Sequence, residues 1–446
     1  MGYADFEAKK EINDETRFQY ASISKTMTAV AVLQLMEKGK LKLEDKFNKY
    51  FPEFPFPEIT IRHMLSHTSG LPDLNVFQPL VTRDPDRVVT NNDIIPELVK
   101  NKRKLIFNPG ERWSYCNINY NLMGLLIEKL SGLKYQDYLE KFIFKPAKMN
   151  TAYIKTTLIN AAHQPGEAYY YDYIHMYSLD KVRINESFSV GRWKIQYYNT
   201  FGFNGAGSVY GTLNDLVNYD EALYNGSLLK EATLALAFTP TKLNDGTLTN
   251  ASIGTGKATY GLGWFIYDDD SNGKIVWHSG GRYGCQTLLL RNISKKQLVV
   301  VLDNYENPGV YEAAISAMNF LNGKPEKKFR KSLTKVYAQS LITGGPDLAT
   351  SKILELRSDT INYVLREGEM NNLGYDFSSN GFQQQALETF RTNAVMFPAS
   401  DNALDSYAES LLLNGKRKEA ELMYQKALAI NPKNESSQVA LEKMRK

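Results

Sequence analysis

The sequence predicts an α/β domain with an antiparallel sheet and an inserted, mainly helical lobe, followed by a separate all-α domain. Short runs of Val, Leu, Ile and aromatic residues, separated by turn residues, crowd residues 260–302, as is typical of antiparallel strands. From residue 329 the pattern is helical only, and it contains an internal repeat. The 446 residues are enough for two or three domains. We expect a first domain at 1–322, a linker at 323–331 and a helical domain at 332–446.

The first domain shows strand patterns at both ends. One lies at Gly2–Phe6, and the others are Tyr260–Tyr267, Ile275–His278, Cys285–Leu290 and Gln297–Leu302. We therefore expect one antiparallel sheet built from both ends of the domain. Between about 45 and 250 the pattern is more helical, which predicts an inserted lobe and a ligand cleft between the lobes. For the tyrosines of the insert, a substrate rim and plain packing remain open: Tyr169, Tyr170, Tyr171, Tyr173 and Tyr177.

Composition excludes several classes of function. A net charge of +4 is too small to indicate a nucleic-acid partner or an anionic membrane. No stretch is long and apolar enough for a membrane span, and no signal peptide is recognisable at the first residue. Two cysteines, Cys116 and Cys285, do not make a disulfide framework. The five histidines lack metal-ligand spacing, except that His63 and His67 are four apart, and His67 belongs to a loop motif; no metal or cofactor is expected.

The most informative segment is Ser22-Ile-Ser-Lys25, which precedes an apolar helical pattern that stops at Gly39. The spacing predicts Ser22 at a helix N-terminus and Lys25 one turn later on the same face. A serine hydroxyl is a weak nucleophile that needs an adjacent base, and a lysine at this spacing supplies one. The alternative is an ordinary N-cap serine with a solvated lysine.

Three further motifs carry candidate chemistry. In Tyr115-Cys-Asn117, the tyrosine is suited to proton relay and the amide to holding Lys25 or a substrate amide. His278-Ser-Gly-Gly281 ends a predicted strand, where glycines let the backbone approach a ligand closely. Leu65-Ser-His-Thr-Ser-Gly-Leu-Pro72 is a turn-rich loop. Each also has a plain interpretation as a buried tyrosine, a β-turn or a loop.

The order of these motifs resembles the serine β-lactamase-related family, which includes class C β-lactamases, penicillin-binding DD-peptidases, esterases and D-aminopeptidases. The likeness covers roughly residues 1–322 and is supported by Asn204-Gly-Ala-Gly-Ser208 and Tyr260-Gly-Leu-Gly-Trp264. It implies the β-lactamase/transpeptidase-like fold and an acyl-enzyme mechanism.

By this resemblance, Ser22 is the nucleophile, and Lys25 and Tyr115 share the work of the general base, an assignment that the sequence leaves open. Asn117 orients Lys25 and the substrate. The backbone N–H groups of Ser22 and Gly281 form the oxyanion hole, and His278, Ser279 and Gly280 complete the substrate-binding strand.

Two departures from the family pattern matter. Where the best-known penicillin-recognising members have lysine, this chain has His278, which is mostly neutral at pH 7. This weakens the case for a dedicated β-lactamase or DD-peptidase and favours an esterase or amidase of looser specificity. Family members also usually have a helix and a strand before the segment that matches Gly2–Phe6, so we expect an exposed sheet edge and impaired folding or activity.

The C-terminal region contains a 34-residue repeat, in which Gly381, Ala386, Phe390 and Pro398 correspond to Gly415, Ala420, Tyr424 and Pro432. It resembles tetratricopeptide repeats, with helices of 332–366 as a cap. A packing module and a concave peptide-binding surface remain open as its role.

The leading hypothesis is a serine hydrolase that cleaves an ester or amide, with a small molecule or peptide, including peptidoglycan fragments, as substrate. The alternatives are a true β-lactamase and a non-catalytic binding protein in which the repeats hold a protein partner. The family is usually exported, which implies a periplasmic or extracellular location.

Overall fold

The structure is a computed structural model that describes residues 2–84, 88–155, 163–184, 202–251, 258–269, 273–282, 284–305, 307, 309–326 and 330–445. The chain divides into two compact units. The described residues of the first fall within Met1–Asp172, Arg183–Glu186 and Gln196–Lys327. Those of the second fall within Tyr173–Val182 and Lys328–Lys446. No described helix is long and apolar enough to cross a membrane.

The helices of the first unit are mostly short. They are α1 (Ser24–Glu37), α2 (Ile61–Leu65), α3 (Gln78–Arg83), α4 (Ile94–Lys100), α5 (Asn117–Ser131), α6 (Tyr135–Leu139), α7 (Leu213–Tyr224), α8 (Glu231–Ala237) and α9 (Val310–Leu321). Single 3₁₀ turns lie at Ala21–Ile23, Phe47–Lys49, Leu74–Phe77 and Asn91–Asp93, and a π turn follows α6 at Glu140–Phe144.

Helix α1 is the centre of the first unit. All its residues from Ser24 to Leu35 are buried, which marks a helix surrounded by protein rather than an amphipathic surface helix. Full burial of Val30 or Leu33 contributes about 1.5–3 kcal/mol each. The polar residues within it are satisfied, because Thr28 Oγ1 donates to the carbonyl of Gly205 at 2.7 Å and Thr26 accepts from the Tyr219 hydroxyl at 3.1 Å. The helix ends before Gly39, whose φ is +69°.

The strands are β1 (Tyr3–Asp5), β2 (Lys10–Glu11), β3 (Phe18–Gln19), β4 (Tyr153–Ile154), β5 (Tyr170–Asp172), β6 (Val182–Ile184), β7 (Val209–Gly211), β8 (Thr259–Tyr260), β9 (Phe265–Asp269), β10 (Gly273–Arg282), β11 (Cys285–Asn292) and β12 (Gln297–Asp303). The main sheet is antiparallel, with the order β12-β11-β10-β9-β8. Its register sets His278 opposite Leu289 and Trp277 opposite Phe265.

The prediction that both ends of the domain build this sheet is wrong. Strand β1 pairs with β2 in a separate hairpin, and all five strands of the main sheet come from residues 259–303. A hairpin closes over few residues, so its local pairing is entropically cheaper than a distant one. The predicted strand Tyr260–Tyr267 is also divided, because a turn in which Gly261 N donates to Trp264 O at 2.9 Å separates β8 from β9.

The second unit is mainly helical. Its helices are α10 (Leu333–Leu356), α11 (Glu367–Ser379), α12 (Gln383–Met396), α13 (Asp401–Leu413), α14 (Arg417–Ile430) and α15 (Glu435–Arg445). Helix α10 is kinked at Gly345 and Pro346. The expectation of helices only is corrected by a two-residue parallel pair, β13 (Lys331–Ser332) with β14 (Tyr363–Val364).

Two successive helix pairs of this unit repeat with the same spacing. Helix α11 begins at 367 and α13 at 401, while α12 begins at 383 and α14 at 417, an offset of 34 in both cases. The repeated small residues, Ala386 and Ala420, are fully buried, and Phe390 and Tyr424 are nearly so. A small side chain at these positions lets helices approach closely, which explains the repeat that is visible in the sequence.

Residues 173–182 are part of the second unit, although they lie within the sequence of the first. Tyr177 is buried and stacks on Phe377 at 4.4 Å and on His175 at 4.7 Å between ring centroids. The backbone N–H of Met176 donates to Asp376 Oδ2 at 2.7 Å. Tyr177 is therefore a packing residue, the plainer of the two interpretations for the tyrosines of the insert.

Candidate active site

The backbone before Ser22 is held from both sides. The N–H of Tyr20 donates to Val209 O at 2.9 Å, and its carbonyl accepts from Thr287 Oγ1 at 2.9 Å. Ala21 has φ of +46°, a left-handed conformation that costs a non-glycine residue about 1–2 kcal/mol. Ser22 lies in the 3₁₀ turn just before α1 rather than in its first turn, and it is half-buried between fully buried neighbours. Its hydroxyl is thus fixed where a ligand can reach it.

Lys25 is fully buried, and its Nζ makes three hydrogen bonds. It donates to Ser22 Oγ at 3.0 Å, to Asn117 Oδ1 at 2.8 Å and to the carbonyl of Ala206 at 2.8 Å. All three acceptors are neutral. Burial lowers the pKa of Lys25 to about 7, although the charge of Asp73 opposes the shift. A lysine with this pKa is partly neutral at pH 7 and can accept a proton from Ser22.

Tyr115 is the next residue that contacts the Ser22–Lys25 pair. Lys25 Nζ lies 4.9 Å from the centroid of its ring. Burial raises the pKa of Tyr115, and the polar side chain of Ser22 only partly opposes this. Tyr115 is therefore a phenol at neutral pH, positioned to relay a proton rather than to act as a standing anion.

The loop Leu65–Pro72 positions Tyr115. The ring of His67 packs 4.4 Å from that of Tyr115, and its Nδ1 accepts from the N–H of Cys116 at 3.1 Å. Burial holds the pKa of His67 well below its usual range, so the ring is neutral. Gly70 is required because its φ is +73° and a Cβ there would lie 2.0 Å from Phe107 O. This loop is a support for the site, in which His67 packs against Tyr115 and positions it.

His278 lies in β10 with its imidazole buried. Its Nδ1 donates to the carbonyl of Ser279 at 2.6 Å, which leaves Nε2 to accept from the Tyr260 hydroxyl at 3.3 Å. Burial, together with the charge of Lys25, lowers the pKa of His278 to about 3. The position therefore presents no cation at neutral pH, as the residue type predicts.

The next three residues of β10 bring the strand against the turn that carries Ser22. A Cβ at Gly280 would lie 2.3 Å from both Tyr20 O and Thr287 Oγ1, so only glycine allows this approach. Gly281 is exposed, and Ser279 Oγ accepts from the Tyr311 hydroxyl at 2.8 Å. The structure thus places every sequence-predicted site residue in the first unit, around Ser22 and along β10.

A sequence model described as Beta-lactamase matches residues 1–319 of the chain. The chain belongs to the beta-lactamase family. Members of this family are serine hydrolases, and the chain is therefore a hydrolase at the family level.

Named relatives support this membership. The chain is 33% identical to penicillin-binding protein 4* of Bacillus subtilis over 349 residues, which are 76% of this chain and 74% of the relative. An octameric penicillin-binding protein homologue from Pyrococcus abyssi superposes with a TM-score of 0.60 at 27% identity, covering 73% of this chain and 70% of that one. A penicillin-binding protein from Bacillus halodurans gives 0.58 at 26%, covering 71% and 90%.

Several contributors to the site were missed by sequence reasoning. Asp73 binds the start of α5, Tyr260 contacts His278, and Tyr311 contacts Ser279. For Asp73 a signal existed, because it directly follows the Leu65–Pro72 motif. Tyr260 also had a signal, since it opens the Tyr260-Gly-Leu-Gly-Trp264 motif, but its contact with His278 was not predicted. For Tyr311 there was none, since tyrosine is common in this chain, with 28 copies.

Neither cysteine fits a catalytic role in this family member. Cys116 and Cys285 are free and buried. Burial raises the pKa of both thiols, that of Cys285 to about 12, so neither is a thiolate at neutral pH. Within the described ranges, no group of three or more His, Cys, Asp or Glu side chains is arranged to hold a metal ion.

Proposed function

We propose that this protein cleaves an ester or amide, in a small molecule, a peptide or a peptidoglycan fragment, through an acyl-enzyme on Ser22. The observation that carries the proposal is the hydrogen bond of 3.0 Å between Ser22 Oγ and a fully buried lysine that has only neutral acceptors. Such a lysine is a base beside a nucleophile, and this pairing is how serine is activated without a histidine.

In the first step the oxygen of Ser22 forms a bond to the substrate carbonyl carbon, and its proton passes to Lys25 directly or through Tyr115. The N–H groups of Ser22 and Gly281 receive the charge on the carbonyl oxygen, a contribution worth about 10²–10³ in rate per donor. The leaving group departs with a proton. Water, activated by the same pair, then releases the acid and restores Ser22. Asn117 holds Lys25, while His278, Ser279 and Gly280 line the substrate.

The neutral His278 favours an esterase or amidase over a dedicated β-lactamase. A lysine at this position would offer a cation to a substrate carboxylate, whereas this imidazole, with a pKa of about 3, offers none. Penicillins would then acylate Ser22 slowly, if at all, and turn over more slowly than simple esters.

The second unit supports an additional role in binding. Its two helix pairs with a 34-residue offset match the period and the small-residue positions of tetratricopeptide repeats. On this ground we assign it as a tetratricopeptide-like module that holds a peptide or protein partner. The relation to penicillin-binding proteins supports action outside the cytoplasm.

The test is labelling with a fluorophosphonate, read by intact mass, in parallel on the parent and on Ser22→Ala. A single adduct on the parent and none on the variant is expected, because only an activated serine attacks the phosphorus. A folded parent that gains no adduct would contradict the hydrolase assignment. The parent protein that reacts with the fluorophosphonate is then assayed with p-nitrophenyl esters, D-amino-acid amides and penicillins. The relative turnover rates rank these substrate classes.

A further inference from the structure

Asp73 makes three hydrogen bonds to one residue pair at the start of α5. Its Oδ1 accepts from the backbone N–H of Asn117 at 2.9 Å and from that of Ile118 at 3.3 Å. Its Oδ2 accepts from the side-chain Nδ2 of Asn117 at 2.9 Å. The carboxylate thus binds both the backbone and the side chain of the residue that holds Lys25.

The contact with Nδ2 decides which way the Asn117 amide faces. A carboxylate only accepts hydrogen bonds, so the nitrogen must face Asp73 and the oxygen must face away from it. That oxygen lies 2.8 Å from Lys25 Nζ. We propose that Asp73 is a positioning residue of the active site, which locks the Asn117 amide in the one orientation that accepts from Lys25 and so fixes Lys25 against Ser22. The effect of Asp73 on catalysis rests on the proposed function, whereas the hydrogen bonds that position Asn117 and Lys25 do not depend on it.

Among the described residues, Asp73 is also the carboxylate whose charge acts on Lys25. The other described titratable groups that surround Lys25 are neutral near pH 7. Burial raises the pKa values of Tyr115, Tyr120 and Cys116 and lowers those of His67 and His278. The charge of Asp73, by contrast, raises the pKa of Lys25 against the effect of burial. Loss of that charge should therefore make Lys25 a weaker base.

An ordinary helix cap is the rival explanation, since a carboxylate at a helix N-terminus stabilises the helix wherever it lies. The chain offers a matched control in Asp93. It is half-buried like Asp73 and caps the 3₁₀ turn Asn91–Asp93, which leads into α4, by accepting from Thr90 N at 2.8 Å. A capping role alone predicts that Asp73→Asn and Asp93→Asn behave alike.

The experiment measures the protonation of Lys25 directly. Protein labelled with ¹³C at the lysine Cε is titrated by NMR, and the Lys25 signal is assigned by its loss in Lys25→Met. In Asp73→Asn the titration midpoint should fall by roughly one pH unit. The fluorophosphonate labelling rate at high pH should fall by about tenfold to a hundredfold, because the Asn117 amide no longer has a single orientation. Asp93→Asn should change neither value.

A second variant exchanges the two side chains. In Asp73→Asn/Asn117→Asp the amide at 73 donates to the carboxylate at 117, so the bridge is kept while the charge moves next to Lys25. The titration midpoint should then rise above that of the parent by about one to two units. This variant retains the hydrogen bonds and serves if Asp73→Asn alone does not fold.

Two results would overturn the inference. One is a Lys25 midpoint and a labelling rate in folded Asp73→Asn that equal those of the parent. The other is a midpoint in the exchanged variant that stays at or below the parental value. A parent that takes no fluorophosphonate would instead refute the proposed function, while the NMR titration would still decide whether Asp73 controls Lys25.

Discussion

Among the described residues of the first unit, two lysines are buried, and they are held in opposite ways. Lys155 is 4% exposed, and its Nζ lies 2.8 Å from Glu167 Oε2, a carboxylate that is itself 2% exposed. Glu167 also accepts from the Tyr153 hydroxyl and from the N–H of Gln164. Lys25 is equally buried, but its three partners are a hydroxyl, an amide oxygen and a backbone carbonyl.

The difference separates a structural cation from a base. A buried charge needs an opposite charge, because desolvation is otherwise too costly. Lys155 has one within a direct ion pair. The described carboxylate that acts on Lys25 is Asp73, which binds Asn117 and makes no direct ion pair with the lysine, so burial lowers the pKa of Lys25 to about 7. Both lysines are buried, but Lys155 is a structural cation in an ion pair, whereas Lys25 can accept a proton.

The largest expected effect comes from removing the base. Lys25→Met should lower the rate of fluorophosphonate labelling of Ser22 by about 10⁴, the scale of the loss when a supporting member of a serine catalytic triad is replaced. Lys155→Met is the matched control, and its folded fraction should be labelled at the parental rate. Equal losses in the two variants would mean that Lys25 is no more a catalytic base than Lys155 is.

Stability should show the reverse order. Lys155→Met leaves the buried carboxylate of Glu167 unpaired, which should lower the free energy of unfolding by about 3–5 kcal/mol. Lys25→Met should lower it by less, because relief of the desolvation of Lys25 offsets its lost hydrogen bonds to Asn117 and Ala206. Thermal unfolding of both variants, followed by circular dichroism, checks this. A larger loss for Lys25→Met would contradict it.

Part of this site was accessible from the sequence alone. Ser22, Lys25 and the helix that follows are joined by local spacing, which fixes their geometry within one turn. The strands around His278 were also predicted from a local pattern, since short runs of Val, Leu, Ile and aromatic residues alternate with turn residues there. Such features depend on neighbours in the chain.

The remaining features depend on partners that are distant in the chain. Asp73 binds Asn117, which lies 44 positions later in the chain, and Tyr260 contacts His278, which lies 18 positions later. Tyr177 is separated from its stacking partner Phe377 by 200 positions, so its place in the second unit leaves no local pattern. The N-terminal strand misled the sheet prediction because a strand pattern does not specify which strand is its partner.

The smallest effect, and the one that most sharpens the comparison of the two lysines, is the dependence on pH. Neutral Lys25 accepts the proton of Ser22 and charged Lys25 does not, so labelling should fall as pH decreases through about 7. Below that midpoint the rate should drop about tenfold per pH unit. His278 should add no step of its own between pH 5 and 9, because burial lowers its pKa to about 3, and burial also holds the pKa of His67 well below its usual range.

The variant Lys155→Met should keep this midpoint, whereas the residual labelling of Lys25→Met should no longer show it. The same shift has a consequence for folding. The unfolded chain binds a proton on Lys25 up to its ordinary pKa of 10.5, while the folded chain releases it at about 7. Stability therefore rises with pH across that window in the parent, and this contribution is absent in Lys25→Met. A labelling midpoint that moved in Lys155→Met would show that the ion pair, and not only the serine–lysine pair, sets the protonation of the site.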